Sequence, residues 1–378
     1  MRNIPMKFVI AFTAVLASAG AQQVRINQIQ LVGTHNSYHA GISPNEMINL
    51  RKVNPKAADS LDYRHPSLES QFNDGVRQIE LDVFGDSKGG LFAHPLGPEL
   101  AAKAGLPADP PFDFSTMLRP GFKVLHVQDI DYRSNCEPFT KCLEIVHSWS
   151  QAHPGHLPIF ILVENKDGRP TQQGHPVEGT VVAETVTAGT FDALDAEIRS
   201  VFKPGEMITP DDVRGAHRTL NEAILADGWP TLDEARGKVA FLLDQRRFES
   251  LYTQGHPSLE GRVLFTNATP GAPGAAFTEC NDSATDPELV PALIRKGYLV
   301  RTMTDPGAAG VRSNSTARRD ASIRSGAQIL STDYPAGEPA ESGYFVTVRP
   351  AGQTRPNARC NPVLKPADCT AAMLREPE

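Results

Sequence analysis

The chain has 378 residues, 40% of them hydrophobic and 21% charged, with a formal net charge of -7. This is ordinary globular composition, long enough for one large domain such as an α/β barrel or for two smaller ones. A mild acidic excess with no basic run argues against nucleic acid as the main partner and leaves a lipid substrate open.

The chain opens on Arg2 and Lys7, an apolar run from Phe8 to Leu16, and the small residues Ala17, Ser18, Ala19, Gly20 and Ala21. This pattern predicts a secretory signal peptide over residues 1–21, too short to span a bilayer, and hence a secreted or periplasmic protein. Export makes disulfides chemically reasonable. Of the five cysteines, Cys136 with Cys142 and Cys360 with Cys369 are close enough in sequence to bridge, which leaves Cys280 over, and none has metal-site spacing.

In IQLVGTHNSYH, a short apolar run from Ile29 is broken by Gly33 and delivers Thr34, His35 and Asn36, as a parallel strand delivers active-site residues at its carboxyl end. Leu68 and Phe72 with the stop at Gly75 predict a short helix after a polar stretch from Arg51 to Tyr63. VRQIELDVF reads as a strand with Glu80 and Asp82 on one face, roughly 6–7 Å apart and able to share a cation. Residues 85–121, rich in Gly and Pro, read as a long surface excursion carrying His94. FKVLHVQDIDY then gives a third strand with His126 at its end, and Phe139, Leu143, Val146 and Trp149 mark a helical face. The unbroken apolar run from Pro158 to Val163 is a buried strand that delivers Glu164, with Lys166 two residues on. Further strands are expected at Lys238–Leu243, Val263–Thr266, Tyr298–Thr302 and Ala327–Ser331, with helices around Thr190–Phe202, Leu220–Leu225, Leu289–Lys296 and Ala317–Ser325.

Eight strands separated by helices over about 310 residues fit a single TIM-type (β/α)8 barrel over residues 22–345, followed by a Pro-rich tail over 346–378 that packs on it. On that barrel His35, Asn36, Glu80, Asp82, His126 and Glu164 share the carboxyl-end rim. Hard oxygen ligands from Asn36 and the three acids favour Ca2+, with Mg2+ second, over zinc. Two histidines beside such a site suit acid/base cleavage of a phosphodiester.

THNSY at Thr34–Tyr38, ELD at Glu80–Asp82, KVLH at Lys123–His126 and ILVEN at Ile161–Asn165 resemble the catalytic half of calcium-dependent phosphoinositide-specific phospholipases C. The secreted microbial branch is the closer match, through VLHVQDIDYRS, Trp149–Pro158 and Gly228–Lys238, and the similarity runs to about Asp333. The resemblance implies cleavage of phosphatidylinositol to diacylglycerol and a cyclic inositol phosphate at a membrane surface, with no obligate protein partner evident. It casts His35 as general base or phosphoryl stabiliser, His126 as general acid with His94 as its rival, and Asn36, Glu80, Asp82 and Glu164 as calcium ligands.

KVAFLLDQ lacks the paired lysines by which the eukaryotic enzymes grip ring phosphates, having Lys238 and then Asp244, and this favours plain phosphatidylinositol or another phosphodiester. Lys166, Arg133, Lys238, Arg301 and Asp333 are further candidates for the rim or the substrate, each with a salt-bridge role as the plainer reading. Leu91, Phe92, Phe112 and Phe114 either touch the membrane or pack on the barrel. The rival functions are a glycerophosphodiesterase or phospholipase D-type enzyme on the same barrel, disfavoured because Asn36 follows His35 where glycerophosphodiesterases carry Arg-Gly, and a non-catalytic calcium-dependent lipid binder.

Overall fold

The computed structural model describes residues 24–172, 175–352 and 355–377. The expected signal peptide at 1–21 lies outside the described residues. Eight parallel strands run β1 Ile29–Thr34, β2 Gln78–Phe84, β3 Ile159–Lys166, β4 Val239–Leu243, β5 Leu264–Thr266, β6 Phe277–Glu279, β7 Leu299–Met303 and β8 Ile329–Thr332. Apart from β5 and β6, each pairs with its neighbour in chain order, and β8 returns to β1. A lone parallel bridge between Asn267 and Phe277 joins β5 to β6 and closes the ring, so the fold is the expected (β/α)8 barrel.

The apolar runs of β3 and β4 follow from their double burial: Ile159–Val163 and Val239–Leu243 are at most 1% exposed, with barrel interior on one face and helices on the other. The helix Phe139–Ala152 buries Phe139, Leu143, Val146 and Trp149 along one stripe, and Trp149 meets Phe72 of the helix Leu68–Asn73 with ring centroids 5.0 Å apart.

Strand membership differs from the expectation in two places. The segment expected as a third barrel strand forms only Lys123–Val124, which runs antiparallel to the end of β2 through Val83–Val124 and Phe84–Lys123. It stops because residues 126–131 fold into a tight turn, with Val127 N donating to Asp131 O and Asp131 N to Val127 O, and with Asp129 at φ 72°. The eighth place in the ring is taken by β6, three residues long and preceded by Gly/Pro-rich chain that hides it from pattern reading. The polar stretch after His39 is also more ordered than expected. It forms helices Pro44–Val53 and Pro55–Leu61, each opened by a proline at its first position, and Asn54 caps the second by accepting from Ala57 N.

β1 and β2 pair only at Gly33–Gln78. A Cβ at Gly33 would lie 2.0 Å from Gln78 Oε1, so glycine is needed for that approach. Below this point the seam is filled by the tail strand Ala358–Cys360, antiparallel to β1. Glu376 then reaches the fully buried Arg77, pairing with both Nε and Nη2, and also accepts from Leu157 N. The disulfides are Cys136–Cys142 and Cys360–Cys369, and Cys280 is free. Among the described residues no helix is long and apolar enough to cross a membrane.

Candidate active site

The turn after β1 is fixed by small polar side chains. Thr34 Oγ1 lies 2.6 Å from Ser37 Oγ and donates to Gln71 Oε1, while Ser37 N donates to Glu80 O and Glu80 N to Ser37 Oγ. This lock between β1 and β2 lets Asn36 adopt φ 44°, a left-handed conformation that asparagine tolerates. His35 is thereby held at the mouth, its Nδ1 2.9 Å from Asp333 Oδ1 just past β8 and its Nε2 3.8 Å from Glu80 Oε1. Burial pulls His35 towards the neutral form, but the charges of Glu80 and Asp333 overcome it and raise its pKa to about 10.

Acids crowd the mouth. Glu80 and Asp82 share one face of β2, and the β2–β3 register sets Asp82 opposite Glu164. Glu80, Glu164 and Asp244, the last immediately after β4, bring carboxylate oxygens within 4.8 Å of one another. Glu279 ends β6. Two cations face these five acids. Arg301 of β7, 2% exposed, reaches across the barrel to place Nη2 2.7 Å from Glu80 Oε2 and Nη1 3.7 Å from Glu279 Oε2. Lys166 Nζ lies 3.0 Å from both Asp82 Oδ2 and Glu164 Oε2.

The excess negative charge shows in the titrations. Burial, and then the charge of Asp82, lift Glu164 to about 7 although Lys166 opposes them. Burial with Glu279, Glu80 and Glu164 lifts Asp244 to about 9, and burial with Glu80 lifts Glu279 to about 7 against the pull of Arg301. Several oxygens here are buried without a hydrogen bond: Asn36 Oδ1, both oxygens of Asp82 and Glu279 Oε1. Buried carboxylates and an orphaned amide oxygen converging on one point are expensive unless a cation joins them. An all-oxygen donor set of this charge fits calcium.

His126 sits in the turn beyond Lys123–Val124. Its Nδ1 is 2.8 Å from Asp131 Oδ2, and His39 Nε2 lies 2.8 Å from each oxygen of the same carboxylate. Burial works against the Asp131 charge, yet the hydrogen bonds to His126 and His39 hold its pKa down to about 2. The Tyr63 ring stands between the two histidine groups, 6.4 Å from the His35 ring and 4.4 Å from that of His39, which is 5.8 Å from His126. Tyr63 OH also accepts from Asn36 Nδ2.

Other candidates are placed elsewhere. His94 is exposed on the loop leading to the helix Gly97–Lys103. Lys238 precedes β4 and so lies at the opposite end of the barrel from Asp244, in a separate cavity with Arg25 and Trp229. Arg133 donates to Pro110 O and stacks over Phe112, walling a cavity of about 280 Å3 beside Glu46 and Tyr132. Phe92 is buried in a small satellite core with Phe84 and Leu125, and Leu91, Phe112 and Phe114 pack against it.

Asp131, His39, Tyr63 and Glu279 escaped the reading of the sequence, and Asp244 was noted only as a departure. Asp244 was nonetheless legible, since it ends an apolar strand as Glu164 does. Asp131 lies five residues past His126, in a segment that has strand-like sequence but folds as a turn. Tyr63 carries no local signal.

The family model for calcium-dependent phosphoinositide phospholipase C matches residues 24–362. No curated protein matches. Among solved structures, the calcium-dependent phosphoinositol-specific phospholipase C of a Gram-negative Pseudomonas species, an apo form in complex with myoinositol, is 17% identical with a TM-score of 0.53, covering 90% of this chain and 96% of that one. The calcium-dependent phosphatidylinositol-specific phospholipase C of Streptomyces antibioticus is 19% identical with a TM-score of 0.50, over 82% of this chain and 95% of that one. At these identities the structures support the barrel itself, while the family match extends over most of the sequence: the chain belongs to the calcium-dependent phosphoinositide phospholipases C.

Proposed function

We propose that this enzyme is exported and cleaves phosphatidylinositol on the glycerol side of phosphorus by transfer to the substrate's own inositol 2-hydroxyl. The 2-hydroxyl oxygen bonds to phosphorus, the glycerol oxygen leaves, and the products are diacylglycerol and a cyclic inositol phosphate. His35, held by Asp333, takes the proton of the attacking hydroxyl, and His126, held by Asp131, gives one to the departing alkoxide. Asn36, Glu80, Asp82 and Glu164 would hold calcium, with Asp244 as a further oxygen donor. When bound there, calcium would supply positive charge near the phosphate and would offset the acids that raise the pKa of His35.

The observation that carries this reading is that each histidine has its own carboxylate partner, with His35 beside the cluster of oxygen donors and the Tyr63 and His39 rings joining it to His126. A binder would need the cluster but not two oriented imidazoles. At the mouth the acids outnumber Arg301 and Lys166, which favours the unphosphorylated head group. The myoinositol complex of the Pseudomonas relative and the two disulfides support the head group and the export, respectively.

Phosphorus NMR of the water-soluble product from phosphatidylinositol, with calcium or with chelator, tests the proposal. Cyclic inositol phosphate formed only with calcium is the expected result. Release of phosphatidic acid, or turnover of glycerophosphoinositol in its place, would overturn it.

A further inference from the structure

We propose that Lys166 is a built-in competitor for the calcium position, its ammonium neutralising Asp82 and Glu164 in the metal-free enzyme and withdrawing when calcium enters. The inference rests on the reading of these acids as calcium ligands and adds to it a residue that sets metal affinity.

The two cations of the mouth are held differently. Arg301 is buried and anchored on four sides, by Glu80, Glu279, Asn281 Oδ1 at 2.7 Å and Ser331 Oγ at 3.1 Å, so it belongs to the permanent framework. Lys166 is the last residue of β3, with 24% of its side chain exposed. In the β2–β3 register it lies opposite Phe84, two positions beyond the Asp82–Glu164 pair, so its four-carbon stem folds back along the strand to bring Nζ 3.0 Å from both acids. Its ammonium is held by these two ion pairs. A flexible stem, a partly open environment and a compact charge make lysine the cation that can leave.

An ammonium and a divalent ion cannot share these oxygens. Asp82 is fully buried, and its Oδ2 has Lys166 Nζ as its ion-pair partner at 3.0 Å. Calcium binding to Asp82 and Glu164 expels a like charge from 3.0 Å, and that cost appears as weakened apparent affinity. The lysine thus holds the acids together in the empty site and raises the calcium concentration at which the enzyme switches on.

Calcium titration calorimetry on the full chain tests this directly. Lys166→Met is expected to tighten calcium binding at least about tenfold and Lys166→Arg to leave it near wild type. Unchanged or weaker binding in a folded Lys166→Met would overturn the proposal. Loss of the counter-charge can prevent that variant from folding, so a second measurement uses the wild-type chain with nitrogen-15-labelled lysine. The Lys166 ammonium resonance, assigned by its loss in Lys166→Arg, is expected to move on adding calcium, and a resonance unmoved at saturation would equally contradict competition. Calcium binding in wild type that is indifferent to Lys166 would sink only the competition, whereas no calcium heat from any variant would sink the metal assignment beneath it.

Discussion

His126 Nδ1 lies 2.8 Å from Oδ2 of Asp131, a buried carboxylate that His39 grips from the other side. With Asp131 held ionised down to about pH 2, its acceptor face is constant across the working range, and it fixes both the ring orientation and the tautomer of His126. Asp131→Asn is expected to lower kcat by about 10^2-fold or more with KM little changed. His39→Gln removes only the second grip and is expected to cost less. Equal losses, or a fall in KM-weighted binding alone, would show that Asp131 is merely structural.

His156 predicts an acid-sensitive stability away from the active site. It is 1% exposed, and burial lowers its pKa from 6.5 to about 4, the hydrogen bond to Leu157 O opposing and the charge of Arg77 adding to the fall. The folded state therefore prefers the neutral ring. Its contribution is complete above pH 6.5 and is lost as pH falls from 6.5 towards 4, to a limit of about 3 kcal/mol. Urea midpoints at pH 7.5 and 4.5 are expected to differ less in His156→Gln than in wild type, and parallel losses would refute this source.

The tail is a stabilising element through Glu376 and Arg77. Removing Glu376 leaves a fully buried guanidinium with its Nε and Nη2 unpaired, although Nη1 still donates to Phe72 O and Val76 O. Breaking such a pair from one side costs about 3–5 kcal/mol. Glu376→Ala is expected to lose that much in denaturant unfolding. Little change would mean that water reaches Arg77 once the tail is loosened.

The barrel was legible because β3 and β4 are buried on both faces and must therefore be continuously apolar. Pattern reading failed where other forces set the structure. Lys123–Leu125 looks like a strand, but the hydrogen-bonded turn ending at Asp131 takes the chain away after two residues, whereas β6 is held by its neighbours despite a weak local pattern. At the site, Glu80, Asp82 and Glu164 announced themselves as acids on apolar strands. Asp333 and Arg301 stood out only by position, because their partners, His35 and Glu80, are more than two hundred residues away in sequence. Tyr63, between His35 and His39, could not be found without the fold.

The division of labour between the two histidines is tested most directly by changing the leaving group. Against phosphatidylinositol, both His35→Ala and His126→Ala are expected to lose about 10^2- to 10^4-fold in kcat. Against an inositol phosphate ester of p-nitrophenol, whose leaving group needs no proton, His126→Ala should recover to within about tenfold of wild type while His35→Ala stays impaired. Equal impairment of both variants on the two substrates would contradict His126 as the general acid.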